Sequence, residues 1–339
     1  MGERMTSRAR AAWQRLAGAL LVLAAMLAGP APGLAADLDA SLRAVVKVRS
    51  YVAGEARSAR TLGTVREGTG VVIDGDGLIV TIGYVILEAM GVEIVDGEGR
   101  AMRASIVGYD SETGFGLVRA TEPLNVKPAP IGRAARLAEG QRMVIAAHGD
   151  GGPAAAQPAI LVQRREFAGY WEYLLDHALF ISPPHQNWGG AGLFTQDGQL
   201  VGIGSLLVGE VAPGLAVPGN MVVPIDLLRP VLGDLLALGT IASAGRPWMG
   251  INGREADAGI VVTRVQPESP AEKAGLTVGD VIVGVSGEPV RTLADLYRKV
   301  WSKGDPGVDV GLDIRRGGAV GPVTVKTADR RRYQRTRSY

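Results

Sequence analysis

Between residues 44 and 206, short runs of β-branched and aliphatic residues are cut at close intervals by glycine-centred turns, and helical periodicity is almost absent. Residues 44–49, 70–73, 78–81, 92–95, 104–107 and 116–119 are such runs, and each reads as a strand because branched side chains pack well on a pleated surface. Asp74-Gly75-Asp76-Gly77, set between two of them, is a strong hairpin signal. Many short strands closed by tight turns restrict the region to a barrel or a sandwich. The chain's 48 glycines in 339 residues, about 14% against a usual ~7%, follow from this economy of turns, since no collagen period accompanies them.

The period then changes. After Pro224, the residues Leu227, Leu228, Val231, Leu232, Leu235 and Leu236 recur at helical spacing and stop at Gly239, so a helix is expected to close this first unit. A small-residue linker follows, and a second unit begins at Pro247. In it, residues 260–265 and 281–285 read as strands, the latter turned at Ser286-Gly287. Ser269-Pro270-Ala271-Glu272 has the cap serine, first-turn proline and glutamate of a helix start, with Gly275 as its stop. Thr292 caps a second helix with Leu293, Leu296, Tyr297 and Val300 on one side, and Val308, Val310, Leu312 and Ile314 alternate as in a half-buried strand.

With 47% hydrophobic and 21% charged residues the chain can build cores, which excludes disorder as its main state. The absence of cysteine excludes a disulfide scaffold, a zinc–thiolate site and a cysteine nucleophile. Near-neutral charge removes the usual reason to expect nucleic acid. Arg4, Arg8, Arg10 and Arg15 precede an apolar run over residues 16–27 and the small-residue sequence Gly33-Leu34-Ala35-Ala36, the pattern of a secretory signal cut near Ala35 or Ala36. A membrane anchor is the alternative, but the run is shorter than the ~20 residues that span a bilayer. Without residues 1–36 the formal charge becomes −1, divided between an acidic body and a basic tail carrying five arginines, which is expected to be solvated and disordered.

The stretch from Ser269 to Gly287 closely resembles a PDZ domain of the kind carried by bacterial HtrA/Do proteases, and Arg246-Pro247-Trp248-Met249-Gly250-Ile251 stands where that family's carboxylate-binding loop sits. The first unit resembles the family's trypsin-like domain through residues 68–81 and Val222-Val223-Pro224-Ile225. The resemblance implies a mainly β fold, a chymotrypsin/trypsin-like double β-barrel followed by an α+β PDZ domain. It divides the chain into a signal peptide (1–36), a protease-type domain (37–239), a linker (240–246), a PDZ domain (247–329) and a basic tail (330–339). It further implies that the N–H groups of Met249, Gly250 and Ile251 hold a peptide's terminal carboxylate, with Trp248, Leu293 and Tyr297 around the peptide.

The family's catalytic positions carry other residues here. Tyr84 takes the histidine's place and Gly114 the aspartate's. In Asn187-Trp188-Gly189-Gly190-Ala191-Gly192-Leu193, Gly189 takes the serine's place when aligned on Leu193, and Trp188 does when aligned on Asn187. Acyl transfer needs a nucleophile, a base and a group that fixes the base. None of these residues supplies them, and Asn187, Gly189 and Gly190 are expected to form at most a vestigial oxyanion pocket. Asp110 and Glu112 read as a charged turn. His148 and His185 are expected near the old cleft and are the weak candidates for a metal, and no cofactor is expected. The leading expectation is therefore an exported, periplasmic pseudoprotease that binds peptide C-termini or unfolded protein segments. An active periplasmic serine endopeptidase of protein quality control and a metal-binding pseudoprotease stand beside it. The resemblance also implies a homotrimer, with membrane contact only through an uncleaved signal.

Overall fold

The computed structural model describes residues 32–149 and 154–334. Most of the expected signal, residues 1–31, lies outside them, as does the end of the chain from residue 335. The described chain begins with helix α1, Pro32–Leu42, whose Ser41 hydroxyl donates to the Gly198 carbonyl at 2.7 Å and so fastens it to the second barrel. Among the described residues no helix is long and apolar enough to cross a membrane.

The first six strands form one closed barrel: β1 (Val45–Val52), β2 (Val65–Val72), β3 (Leu78–Ile82), β4 (Ala89–Val95), β5 (Ala101–Tyr109) and β6 (Phe115–Ala120), in spatial order β1-β2-β3-β6-β5-β4. β3 buries every residue, because both its faces meet apolar neighbours, whereas β4 alternates and β5 does so only up to the irregularity after Ile106. The Asp74 turn closes as its sequence implies. The Asp74 carboxylate accepts from the N–H groups of Asp76 and Leu78, at 2.9 and 2.7 Å. Two short helical turns interrupt the strands, α2 (Ala59–Leu62) and α3 (Gly83–Ile86), and the second carries Tyr84.

The second barrel, in spatial order β10-β11-β12-β9-β8-β7, is built from β7 (Arg142–Ala147), β8 (Ala155–Gly169), β9 (Tyr173–Ser182), β10 (Gly192–Thr195), β11 (Leu200–Val208) and β12 (Gly219–Pro224). β8 and β9 form a long hairpin closed by the Gly169 to Tyr173 pair, with Tyr170, Trp171 and Glu172 at its tip. Helix α4, Leu228–Leu238, ends on Gly239 in the left-handed region (φ +70°), as the sequence stop signal requires.

The PDZ domain joins a two-stranded piece, β13 (Pro247–Trp248) with β20 (Ala328–Asp329), to a sheet in the order β14-β15-β16-β18-β19. Its strands are β14 (Ile251–Ala256), β15 (Gly259–Val265), β16 (Val281–Val285), β18 (Asp309–Arg316) and β19 (Ala319–Lys326), with β17 (Glu288–Pro289) paired to β16. Helix α5, Pro270–Lys273, has Ser269 as its cap, accepting from the Glu272 N–H. The Glu272 carboxylate returns to the N–H of Glu268, one residue earlier than a simple capping box. Helix α6, Leu293–Trp301, is capped by Thr292 and buries Leu293, Leu296, Tyr297 and Val300.

The basic tail departs from expectation at its start. Residues Arg330–Gln334 form a helix, α7, whose Arg330, Arg331 and Tyr333 contact the rest of the molecule while Arg332 is exposed. Arg331 is held by Asp329 and donates to the carbonyls of Ile241 (2.8 Å) and Ser243 (3.2 Å), while Tyr333 lies against Trp248 with ring centroids 4.4 Å apart. A planar guanidinium satisfied by several fixed acceptors is ordered by them, whereas sequence alone shows only its charge.

Candidate functional site

Tyr84, Gly114 and the Trp188–Gly189 pair lie together. The N–H of Gly83 donates to the Gly114 carbonyl at 2.7 Å, which ties the turn bearing Tyr84 to the Gly114 loop. The Tyr84 hydroxyl donates to the Ser205 carbonyl at 2.8 Å, on β11. A β-carbon built on Gly189 would stand 3.0 Å from that hydroxyl, so the phenol fills the space beside Gly189. Trp188 lines the same cavity. Burial pushes the Tyr84 phenol far above its ordinary range, with the Trp188 side chain opposing, which keeps it a neutral hydroxyl and no base.

Gly114 is left-handed (φ +87°), a conformation that side-chain-bearing residues resist, and a β-carbon there would meet the Tyr173 hydroxyl at 3.0 Å. Tyr173 in turn donates to the Thr113 carbonyl at 2.7 Å. The Asp110 carboxylate is turned into its own loop, accepting from the N–H groups of Glu112 and Thr113 and from the Thr113 hydroxyl at 2.6 Å. Asp110 thus organises the turn, as its sequence suggests, and Glu112 pairs with Arg246 at 3.0 Å.

The expected oxyanion region is largely closed on itself. The Asn187 N–H donates to His185 Nδ1 at 3.1 Å, and the Gly190 N–H donates to the Gly204 carbonyl at 2.9 Å. Gly190 therefore does not offer the donor expected of it. The Gly189 carbonyl accepts from the Thr69 N–H at 2.8 Å, and a β-carbon on Gly190 would lie 1.9 Å from the Thr69 carbonyl, so the loop is pressed against β2.

His148 and His185 are both buried, and burial lowers the pKa of each, favouring neutral imidazoles. The His148 N–H donates to Thr69 Oγ1, and the His185 N–H to Asn220 Oδ1. Among the described residues no group of three or more His, Asp or Glu converges in a way that could hold a metal ion.

A cavity of about 440 Å³ opens between this cleft, the β8–β9 hairpin tip and the PDZ domain. Tyr84, Tyr109, Tyr170, Tyr173, Tyr333, Trp171, Trp188 and Trp248 line it, with Arg57, Arg264 and Arg330. Five of the chain's eight tyrosines and three of its five tryptophans thus stand around one space, in a chain poor in aromatics. Such walls suit apolar side chains of a bound polypeptide.

The loop from Met249 to Ile251 holds a carboxylate from the chain itself. Gly250 is left-handed (φ +90°), and a β-carbon on it would stand 2.3 Å from that of Ser269. The Met249 and Gly250 carbonyls are held away by the N–H groups of Ala271 and Gln266, both at 2.8 Å. The N–H groups of Met249, Gly250 and Ile251 then all donate to the Glu172 carboxylate, at 2.8, 2.7 and 3.0 Å. Leu293 and Tyr297 lie in the core behind the loop, and Trp248 packs on Tyr333. Burial raises the Glu172 pKa, and the three N–H bonds work against that rise. In sequence, Glu172 stands out only as the one acid in Gly169-Tyr170-Trp171-Glu172-Tyr173.

Comparisons with known proteins agree with both halves. A family profile described as a trypsin-like peptidase domain matches residues 68–203, and one described as a PDZ domain matches residues 247–327. The periplasmic pH-dependent serine endoprotease DegQ of Escherichia coli is 26% identical over 268 residues, covering 74% of this chain and 57% of that protein. The serine endoprotease DegS of Haemophilus influenzae is 30% identical over 228 residues, covering 65% of each. The chain thus spans less than two thirds of either relative. Among solved structures, the HtrA-type protease AlgW with a decapeptide aligns with a TM-score of 0.53 at 18% identity, covering 87% of this chain and 98% of that one. That likeness concerns the fold alone.

Proposed function

This chain belongs to the HtrA-type family of trypsin-like serine proteases with a PDZ domain, and we propose that within it the chain is a proteolytically inactive peptide receptor. One observation carries the reading. The Tyr84 hydroxyl is spent on the Ser205 carbonyl and fills the space beside Gly189, where the family keeps its base and its nucleophile. A neutral phenol flanked by two glycines has neither a group to attack a peptide carbonyl nor one to take the nucleophile's proton. In triad enzymes, loss of the serine or histidine alone removes about six decades of turnover.

The binding half of the reading is supported by the convergent N–H groups of Met249, Gly250 and Ile251, which already hold a carboxylate, and by the aromatic cavity beside them. We place the protein in the periplasm, on the basic flank and apolar run of residues 1–36 and on the periplasmic naming of relatives such as DegQ. Fluorescence anisotropy with labelled peptides tests the receptor role. Peptides with apolar C-termini are expected to bind with micromolar affinity and to lose binding when the carboxylate is amidated. Equal binding of acid and amide forms would contradict a carboxylate site at this loop.

A further inference from the structure

The β8–β9 hairpin tip supplies what a peptide C-terminus supplies to such a groove. A bound peptide brings a carboxylate for the loop, a backbone acceptor for the edge strand and a side chain for the apolar pocket. Here the Glu172 carboxylate sits on the three loop N–H groups, and the Tyr170 carbonyl accepts from the Gly253 N–H of β14 at 2.8 Å. Leu174, from the second barrel, is 6% exposed and belongs to the PDZ core beside Met249 and Ile251. Tyr297 locks the arrangement, donating from its hydroxyl to the Gly169 carbonyl at 2.7 Å and accepting from the Glu172 N–H at 3.2 Å.

The backbone says that this seating is imposed. Glu172 is left-handed (φ +59°), a conformation disfavoured for a residue with a side chain and sustained where surrounding contacts over-determine it. Its side chain is buried, so the loop N–H groups are its polar partners in place of water.

We propose that the hairpin tip is a built-in ligand of its own PDZ groove, so that an incoming peptide carboxylate must displace the Glu172 side chain to bind. This inference rests on the receptor reading above. Its consequence reaches the cleft, because Tyr170, Trp171 and Tyr173 of the same tip wall the cavity over Tyr84. A peptide that takes the loop therefore also releases a wall of that cavity, coupling the two surfaces.

Hydrogen exchange and peptide titration on the full chain, comparing wild type with Glu172→Gln and Glu172→Gly, test this. Glu172→Gln keeps the size and removes the charge, while Glu172→Gly removes the carboxylate and accepts the left-handed backbone without strain. In both variants the amides of Met249, Gly250 and Ile251 are expected to exchange roughly tenfold faster or more, and free-acid peptides to bind roughly tenfold tighter or more, because the occupied state no longer competes. Wild-type exchange rates in both variants, or peptide that binds all three proteins with the same affinity, would overturn the inference. Faster exchange with no peptide bound by any variant would uphold the internal contact and overturn the receptor reading instead.

Discussion

The Tyr84 hydroxyl donates to the Ser205 carbonyl at 2.8 Å, across the cleft between the two barrels. It joins the turn that follows the first barrel's β3 to β11 of the second. Replacing Tyr84 by Phe leaves the ring in place and strips that carbonyl of its donor. A buried acceptor left unmade costs about 1–3 kcal/mol. Thermal unfolding of Tyr84→Phe is expected to show a loss of that order, and an unchanged midpoint would mean that water takes over the bond.

Gly114 and Gly97 separate two causes of glycine use. Gly114 is left-handed and faces the Tyr173 hydroxyl, whereas a β-carbon on Gly97 meets nothing within 4 Å and carries no such backbone constraint. Gly114→Ala is expected to cost about 1–2 kcal/mol for the forced left-handed conformation alone, with Gly97→Ala near neutral. Denaturant titration of the two variants checks this, and equal stabilities would remove the steric reading of Gly114.

Leu174 tests the inter-domain seating. Truncation of a buried leucine costs about 2–5 kcal/mol. Leu174→Ala removes a second-barrel residue from the PDZ core, so its loss is expected to appear as faster proteolysis around the 240–246 linker as well as a lower midpoint. A lower midpoint with wild-type cleavage at the linker would confine Leu174 to its own barrel.

The Arg316 guanidinium, gripping both oxygens of Asp280 at 2.7 Å, holds that carboxyl below its usual range against the opposing effect of burial. A depressed folded pKa stabilises the native state above the unfolded value, near 3.9, and the gain is lost as pH falls through the folded value. Asp280→Asn is therefore expected to lower the unfolding midpoint at pH 7 and to match wild type once the pH lies below both values. A difference that persists unchanged into that range would assign the effect to shape and not to charge.

Much of this architecture was legible because its causes are local. Ser269, Pro270 and Glu272 announce a helix within four residues, Gly239 marks a stop, and Asp74-Gly75 fixes a hairpin. The loop at Met249 to Ile251 was marked as a carboxylate site only through the family resemblance. Its occupant was not legible, because Glu172 stands 77 residues before Met249 and nothing in the spacing of either segment pairs them. The arginines after Asp329 misled in the opposite sense: their charge reads as solvated, and the carbonyls of Ile241 and Ser243 that hold Arg331 lie 90 and 88 residues away. That Tyr84 reaches over to fill the space at Gly189 is a property of the packed barrels and is written in no local motif.

The most direct measurement is activity itself. The chain from residue 37 onward, incubated with unfolded casein and a fluorophosphonate probe beside an active family protease, is expected to leave the casein intact and to take no label. Placing a triad at the proposed positions, as Tyr84→His, Gly114→Asp and Gly189→Ser together, is expected to give little or no activity, because Gly114 is left-handed and the Asn187 and Gly190 N–H groups stay engaged. Site-specific labelling of the unmodified chain accompanied by casein cleavage would contradict the account.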